Sequence, residues 1–207
     1  MSNTSRLSRA IYYQDSIDNS GCLLAWTPAY SLPEEHLLEK SELLTTLPIL
    51  SKQWKMSFEL NRQSSSYKSY ASVLHLSIGG KSGSVGDRTP SIWFHPRVGV
   101  YIVTTLNGEA NVGKKFRTHK PTIGEWTSFQ ISQTKKSSTF TFSVTIAGKE
   151  VWSEENGKPE DFGAVRVYGS SPWYEAQAGS IRGLLIENKQ LGKIKQCEKT
   201  SCLNFLS

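Results

Sequence analysis

Apolar and polar residues alternate along much of the chain after residue 53. The alternation is clearest in residues 54–60, 72–78 and 140–146. Because a period of two places successive side chains on opposite faces of an extended chain, each segment predicts a half-buried antiparallel strand. Further strand candidates lie at 91–95, 99–105, 127–132, 149–152, 164–169 and 180–187.

Short turn sequences separate these strand segments. Asn107-Gly108 follows a run of Val, Ile and Thr, and Ala147-Gly148 lies between two strand patterns, so both predict tight hairpins. A longer glycine-rich loop occupies residues 79–87. It lacks the Gly-x-x-x-x-Gly-Lys-Ser/Thr spacing and precedes no predicted helix, which argues against a phosphate-binding loop.

Residues 34–44 predict the one short helix of the chain. Acidic residues come first and leucines follow at helical spacing, between Pro33 and Pro48. About nine short strands and at most this one helix indicate an all-β protein, built as a two-sheet antiparallel sandwich.

The length of 207 residues fits one domain with short extensions. We expect an N-terminal extension at 1–41, the sandwich at 42–188 and a C-terminal extension at 189–207. No segment approaches the roughly 18 apolar residues of a membrane-spanning helix. No apolar leader follows Met1, which leaves either a cytosolic protein or one whose leader has been removed.

The positive charge is concentrated in the middle of the chain. The formal net charge is +6, made up of −2 in residues 1–52, +8 in 53–153 and 0 in 154–207. The cations occur singly or in pairs, without the long basic run or the fold motif of a specific nucleic-acid module. Two interpretations remain open: an ordinary solvated face, or a surface that attracts acidic glycans, anionic lipid or nucleic acid.

Three cysteines lie near the chain ends, at Cys22, Cys197 and Cys202. Their spacing contains no Cys-x-x-Cys pair, which argues against structural zinc. If the first and last strands are neighbours, a disulfide from Cys22 to Cys197 or to Cys202 would leave one thiol free or intermolecular.

Six segments occur in an order typical of one superfamily. They are residues 54–60, 74–76, 86–94, 124–127, 167–174 and 179–186. The Gly-x-Trp sequence at 124–126 opens a strand, a Gly-Lys turn follows at 148–149, and a Gly-x-Ile-x-x-Leu strand begins at 179. Over residues 42–188 the chain resembles a concanavalin A-like jelly roll of the laminin G and pentraxin type.

The resemblance implies an extracellular adhesion, lectin-like or matrix module that binds glycans or protein partners, in some members with calcium. The chain lacks the Asp/Asn cluster of metal-binding lectins, so no metal or other cofactor is expected. It also lacks the Glu-x-Asp-x-Glu strand of the related glycosidases. Its nearest acidic group, at Glu154, Glu155, Glu160 and Asp161, is predicted to lie in a loop.

We therefore expect a non-enzymatic, extracellular recognition module without a membrane span, able to form oligomers. Two other classes stay open. One is a polysaccharide hydrolase or lyase on the same fold, and the other is a structural or assembly domain of a larger secreted protein. Paired carboxylates on a sheet face would indicate the enzyme, and a large apolar surface patch would indicate assembly.

The loops around Asp87, Asn107 and Trp173 are expected to form the binding surface. The candidate ligand-contacting residues are Asp87, Arg88, His95, Asn107, Trp173 and Tyr174. Trp173 and Tyr174 lie in a predicted loop, where aromatic rings either stack on a ligand or close one end of the sandwich.

Three of the polar candidates, and His75, also have a structural alternative. Asp87 and Arg88 would link the glycine-rich loop to a strand. His95, next to a proline, and His75, on the polar side of a strand, would simply bond to a neighbour. The tryptophans at 54, 126 and 152 are assigned to the core.

Overall fold

The computed structural model describes residues 24–64 and 69–191, and every regular element in them is a β-strand. The strands are β1 (Leu24–Leu32), β2 (His36–Leu37), β3 (Leu43–Leu50), β4 (Trp54–Arg62), β5 (Ala71–Ser77), β6 (Ser91–His95), β7 (Gly99–Leu106), β8 (Glu109–Phe116), β9 (Trp126–Lys136), β10 (Thr139–Ile146), β11 (Lys149–Asn156), β12 (Phe162–Tyr168), β13 (Glu175–Ala176) and β14 (Gly179–Leu191).

The strands form two seven-stranded sheets. Sheet 1 has the order β1-β14-β4-β9-β10-β11, with β2 paired to β14. Sheet 2 has the order β3-β12-β5-β6-β7-β8, with β13 paired to β5. The pairings of described register are antiparallel, apart from the short parallel pairing of β13 with β5. The predicted all-β, two-sheet antiparallel sandwich is therefore confirmed.

One hydrophobic core lies between the sheets. Alternate residues of β4, from Trp54 to Leu60, are buried, and β6 contributes Ile92 and Phe94 to the same core. Within sheet 1, Phe58 and Phe129 stack in parallel with 5.1 Å between ring centroids. Burial of each such side chain contributes about 1.5–3 kcal/mol to folding.

Two of the three tryptophans assigned to the core lie there. Trp54 and Trp152 are each 3% exposed. The assignment of Trp126 is wrong, because this residue is half-buried on the outer face of sheet 1. In β9, Phe129 and Ile131 take the inward positions, so the alternation turns the even-numbered residues outward.

Both predicted hairpin turns are confirmed. Asn107 and Gly108 connect β7 to β8 with φ values of 56° and 78°, and Ala147 and Gly148 connect β10 to β11 with 50° and 75°. Positive φ at both central residues matches the twist of antiparallel strands.

The helix expected at residues 34–44 is wrong. His36–Leu37 pairs with β14, and Leu43 opens β3, which pairs with β12. Leucine spacing in this segment suits a helix, but pairing with strands far along the chain overrides the local preference. β1 and β2 precede residue 42, the expected start of the sandwich, and join sheet 1 at β14.

Pro28–Asn188 form one compact unit, and the second unit consists of the two chain ends. Of that second unit only 24–27 and 189–191 are described, and there Lys189 Nζ lies 5.7 Å from the Trp26 ring centroid.

All three cysteines lie outside the described residues, so the proposed disulfide from Cys22 remains a prediction. Within the two described stretches, no helix has the length and hydropathy needed to span a membrane. The same stretches hold no group of three His, Cys, Asp or Glu side chains placed to bind a metal ion.

Candidate functional site

An aromatic cluster lies on the outer face of sheet 2. We call it the aromatic face, and it consists of Tyr70, His75, Trp93, His95, Tyr101, Trp173 and Tyr174. Its centre is Trp93, whose ring centroid lies 5.9 Å from that of Tyr101 and 5.8 Å from that of Tyr174. Tyr70 extends the cluster to His95, at 4.6 Å.

Strand alternation places the central rings on the outer face. In β6, Ile92 and Phe94 belong to the core, so Trp93 points to the other side. Tyr101 stands directly across from Trp93 in the β6–β7 pairing and therefore shares its face.

The segment of residues 169–178 then covers part of this face. Its backbone is tied to β5, since the Ser171 N–H donates to Ser72 Oγ at 2.8 Å and the Gln177 N–H donates to the Ser72 carbonyl at 2.8 Å. This attachment brings the Trp173 ring to 5.2 Å from His75. The cover leaves Tyr174 half-buried at the cluster's margin.

His75 is fully buried beneath this cover, although it occupies the polar side of its strand. Its Nδ1 is 2.6 Å from Ser91 Oγ. The pKa of His75 falls from 6.5 to about 4, chiefly because burial disfavours the charged ring and also because Arg88 is positive, while Asp87 opposes the shift. The imidazole is therefore neutral at physiological pH.

Three cations lie against the aromatic face. The Arg88 guanidinium carbon is 4.9 Å from the Trp93 ring centroid, Lys115 Nζ is 5.7 Å from Tyr101, and Lys81 Nζ is 5.7 Å from Tyr174. Arg88 also donates from Nη1 to Asn111 Oδ1 at 2.9 Å, which fixes its position. The site thus combines ring surfaces with positive charge.

A glycine in β8 makes room for one of the rings. An added Cβ at Gly113 would lie 2.7 Å from the Tyr101 hydroxyl oxygen and 2.8 Å from Val103 Cγ2. The Tyr101 ring therefore extends across β8 at Gly113, where the absence of a side chain leaves room for its hydroxyl group.

The structure brings four of the six predicted residues together. Arg88, His95, Trp173 and Tyr174 all belong to or contact the aromatic face. Asp87 has a different environment: it is 5% exposed, and its Oδ2 accepts a hydrogen bond from the Ser84 N–H at 2.8 Å. Both residues belong to the glycine-rich loop, so this bond lies within the loop, and the proposed link from Asp87 to a strand stays a prediction.

Asn107 lies in the β7–β8 turn and connects it to the loop after β11. Its N–H donates to Asn156 Oδ1 at 2.9 Å, its Nδ2 donates to the Glu155 carbonyl at 3.1 Å, and its Oδ1 accepts from the Gly157 N–H at 2.6 Å. The described bonds of its side chain thus hold two loops together.

The Asn107→Ala variant is expected to lower the free energy of unfolding by about 2 kcal/mol, because two side-chain hydrogen bonds are lost at a position of positive φ. Urea denaturation measures this. Asn107→Gly, which adopts positive φ without strain, is expected to lose about half as much. Equal losses in both variants would show that backbone strain contributes nothing.

Sequence reasoning missed Tyr70, Trp93 and Tyr101 as site residues. The alternation of β6 and β7 contains the necessary signal, since Trp93 and Tyr101 sit at outward positions of two strands joined by a short turn. Aromatic residues at outward positions of adjacent strands indicate a ring cluster on one face.

The acidic residues considered for catalysis are spread over two elements. Glu154 and Glu155 lie within β11, which corrects the prediction of a loop there, and Glu160 with Asp161 occupies the connection to β12. Glu154 Oε2 accepts a hydrogen bond from Trp152 Nε1 at 2.8 Å.

No protein-family model matches the sequence, and no curated protein resembles it significantly. Solved structures resemble the fold. A Trypanosoma rangeli sialidase in complex with sialic acid has a TM-score of 0.53 at 10% identity, over 87% of this chain and 30% of that chain.

Two smaller structures are also similar. The CBM40 module of a Ruminococcus gnavus IT-sialidase, bound to α2,3 sialyllactose, has a TM-score of 0.47 at 11% identity, over 80% of this chain and 92% of that chain. The other is domain 4 of AbnA, a GH43 extracellular arabinanase from Geobacillus stearothermophilus, in complex with arabinotriose. It has a TM-score of 0.45 at 19% identity, over 87% of this chain and 75% of that chain. At these identities the likeness concerns the β-sandwich fold alone.

Proposed function

We propose that this chain is a non-enzymatic carbohydrate-recognition module of the concanavalin A-like type, and that it binds glycans through the aromatic face. The observation that carries the proposal is the set of half-buried rings, Tyr70, Tyr101 and Tyr174, arranged around Trp93 and bordered by cations. Aromatic rings offer a flat apolar surface with polar edges, which suits the alternating apolar and hydroxyl faces of a sugar.

The charges around the rings favour one class of glycan. Lys81, Arg88 and Lys115 each lie within 6 Å of a ring centroid of this face. A sugar stacked on Tyr101 or Tyr174 would place its substituents beside an ammonium or guanidinium group. We therefore propose that the preferred ligands carry a carboxylate or a sulfate.

Recognition of this kind fits an extracellular setting, in which the disulfide from Cys22 to Cys197 or Cys202 would form. A protein partner is the alternative ligand for the same rings. Four predicted site residues belong to or contact this face, and we propose that they contact the ligand or pack against the residues that contact it: Arg88, His95, Trp173 and Tyr174.

A glycan array containing acidic and neutral glycans, probed with the purified chain, tests the proposal. We expect acidic glycans to bind at moderate as well as low salt, since ring stacking is not screened. For the best ligand, the Tyr101→Ala/Tyr174→Ala double variant should lose at least about tenfold in affinity by calorimetry, with little change in melting temperature.

Phe140→Ala is the matched control. Phe140 is a half-buried ring of sheet 1 with Lys135 Nζ at 5.8 Å, so it repeats the ring–cation pair away from the aromatic face. Binding should survive in this variant. If the folded protein binds no glycan on the array, the proposal is overturned in favour of a protein partner. If binding disappears at moderate salt, the interaction is nonspecific charge attraction and the proposed ring stacking is contradicted.

A further inference from the structure

A cleft opens on the outer face of sheet 1, away from the aromatic face. It has a volume of about 440 Å³, within the usual range of small-ligand sites. Glu59 of β4 with Trp126 and Ser128 of β9 lines it from the sheet, and His119 and Lys120 line it from the loop between β8 and β9.

Backbone hydrogen bonds hold the loop that lines one side of this cleft. The Gly124 N–H donates to the Arg62 carbonyl at 2.9 Å, which anchors the loop to the end of β4. Gly124 has a φ of 81°, a conformation that favours glycine. The loop therefore enters β9 along a fixed path on one side of the cleft.

Three side chains form an ordered group at the cleft. The Arg182 guanidinium carbon stacks on the Trp126 ring at 4.1 Å from its centroid, and Arg182 Nε donates to Glu59 Oε2 at 2.7 Å. Arg182 stands directly across from Glu59 in the β14–β4 pairing. Both charged side chains remain about two-fifths exposed, so their polar atoms are accessible.

Among the described residues, both charged members of this group have hydrogen-bonding capacity beyond the bond that joins them. Glu59 accepts through Oε2 and has further lone pairs, while Arg182 donates through Nε and has further N–H groups. A donor and an acceptor held side by side match neighbouring hydroxyl groups of a sugar ring. The Trp126 ring adds apolar surface, and the hydroxyls of Thr118 and Ser128 add groups that both donate and accept.

The charges of this cleft balance, in contrast to those of the aromatic face. Glu59, Glu125 and Lys120 line the cleft, and Arg182, which is not part of the lining, pairs with Glu59. These four groups have a formal sum of zero. An uncharged ligand with many hydroxyl groups fits such a lining better than an anion or a cation. We propose that this cleft is a second carbohydrate site, and that it binds short neutral oligosaccharides independently of the aromatic face.

The test is an NMR titration of the full 207-residue chain with three neutral probes: cellotriose, maltotriose and xylotriose. At about 10 mM, which would reveal even a weak millimolar Kd, we expect at least one probe to shift the Trp126 indole signal. The Trp126→Phe variant assigns that signal. Glu59→Gln should weaken the binding at least tenfold, because it replaces an ionised acceptor beside Arg182.

Two controls separate the cleft from other parts of the molecule. Glu187→Gln changes a half-buried carboxylate of β14, across from Lys55 and outside the cleft lining, and should leave the affinity unchanged. The Tyr101→Ala/Tyr174→Ala variant should also keep the trisaccharide affinity, whatever it does to acidic glycans. The two sites can therefore fail separately.

Three results would overturn the second site. One is the absence of any Trp126 shift with all three probes, and another is an unchanged affinity in Glu59→Gln. The third is a Trp126 shift produced by a sulfated sugar but by none of the neutral trisaccharides. Each of these results would mean that the Glu59–Arg182–Trp126 group only stabilises the contacts between neighbouring strands.

Discussion

Replacing Trp93 by alanine is expected to lower the free energy of unfolding by about 3–5 kcal/mol and to abolish glycan binding at the aromatic face. Trp93 is 2% exposed and lies under the rings of Tyr101 and Tyr174, with Arg88 against its own ring. Its removal leaves a cavity and takes away the support that orients the neighbouring rings. Urea denaturation and calorimetry with the best array ligand measure the two effects.

Trp93→Phe separates ring support from hydrogen bonding. Trp93 Nε1 is buried and makes no hydrogen bond among the described residues, so losing this donor removes no interaction. We expect the phenylalanine variant to lose no more than about 1.5 kcal/mol and to keep most of the binding. A loss as large as that of Trp93→Ala would contradict a purely packing role for this ring.

Stability is expected to fall by about 3 kcal/mol as the pH drops from 6.5 towards 4, because of His75. Its pKa is about 4 when folded and 6.5 when unfolded, so the unfolded chain binds more protons between these values. The contribution is fully present above pH 6.5 and is lost progressively below it. Urea midpoints measured at pH 7, 5.5 and 4.5 follow the loss.

His75→Gln is expected to flatten this pH dependence, since glutamine does not titrate and still offers a polar atom to Ser91. His95→Gln is the matched control on the same face, because it leaves His75 intact and replaces a histidine that is only half-buried. Equal slopes in His75→Gln and the wild type would assign the pH dependence to other groups.

The strands and turns were predictable where local sequence determines them. Residues 91–95 were predicted as a strand and form β6 with those bounds, and the predicted Asn-Gly and Ala-Gly turns have positive φ at Asn107 and Ala147. The helix prediction for 34–44 is wrong because the leucine spacing there is compatible with a helix, whereas the segment pairs with β14 and β12. Both strands lie more than 100 residues further along the chain. No local pattern contains that information.

The candidate site was predictable only in part, for a related reason. Alternation assigned His75 correctly to the side of its strand opposite the core, but that side is normally solvated. Here residues 169–178 cover it, through bonds from Ser171 and Gln177 to Ser72 that span about 100 positions. The loop residues Trp173 and Tyr174 could be nominated from composition, whereas the strand residues they meet follow from tertiary structure.

The covering segment, residues 169–178, affects how the newly synthesised chain folds. Strands β5 to β7 are synthesised roughly 70–100 residues before the segment that closes over them. Contacts this distant in sequence form slowly, because a long loop must close first. Until then the newly made chain exposes Trp93 and His75 to water, an apolar surface that invites aggregation or chaperone capture. Under the proposed function, the aromatic face is complete, and able to bind a sugar, only after this segment has docked.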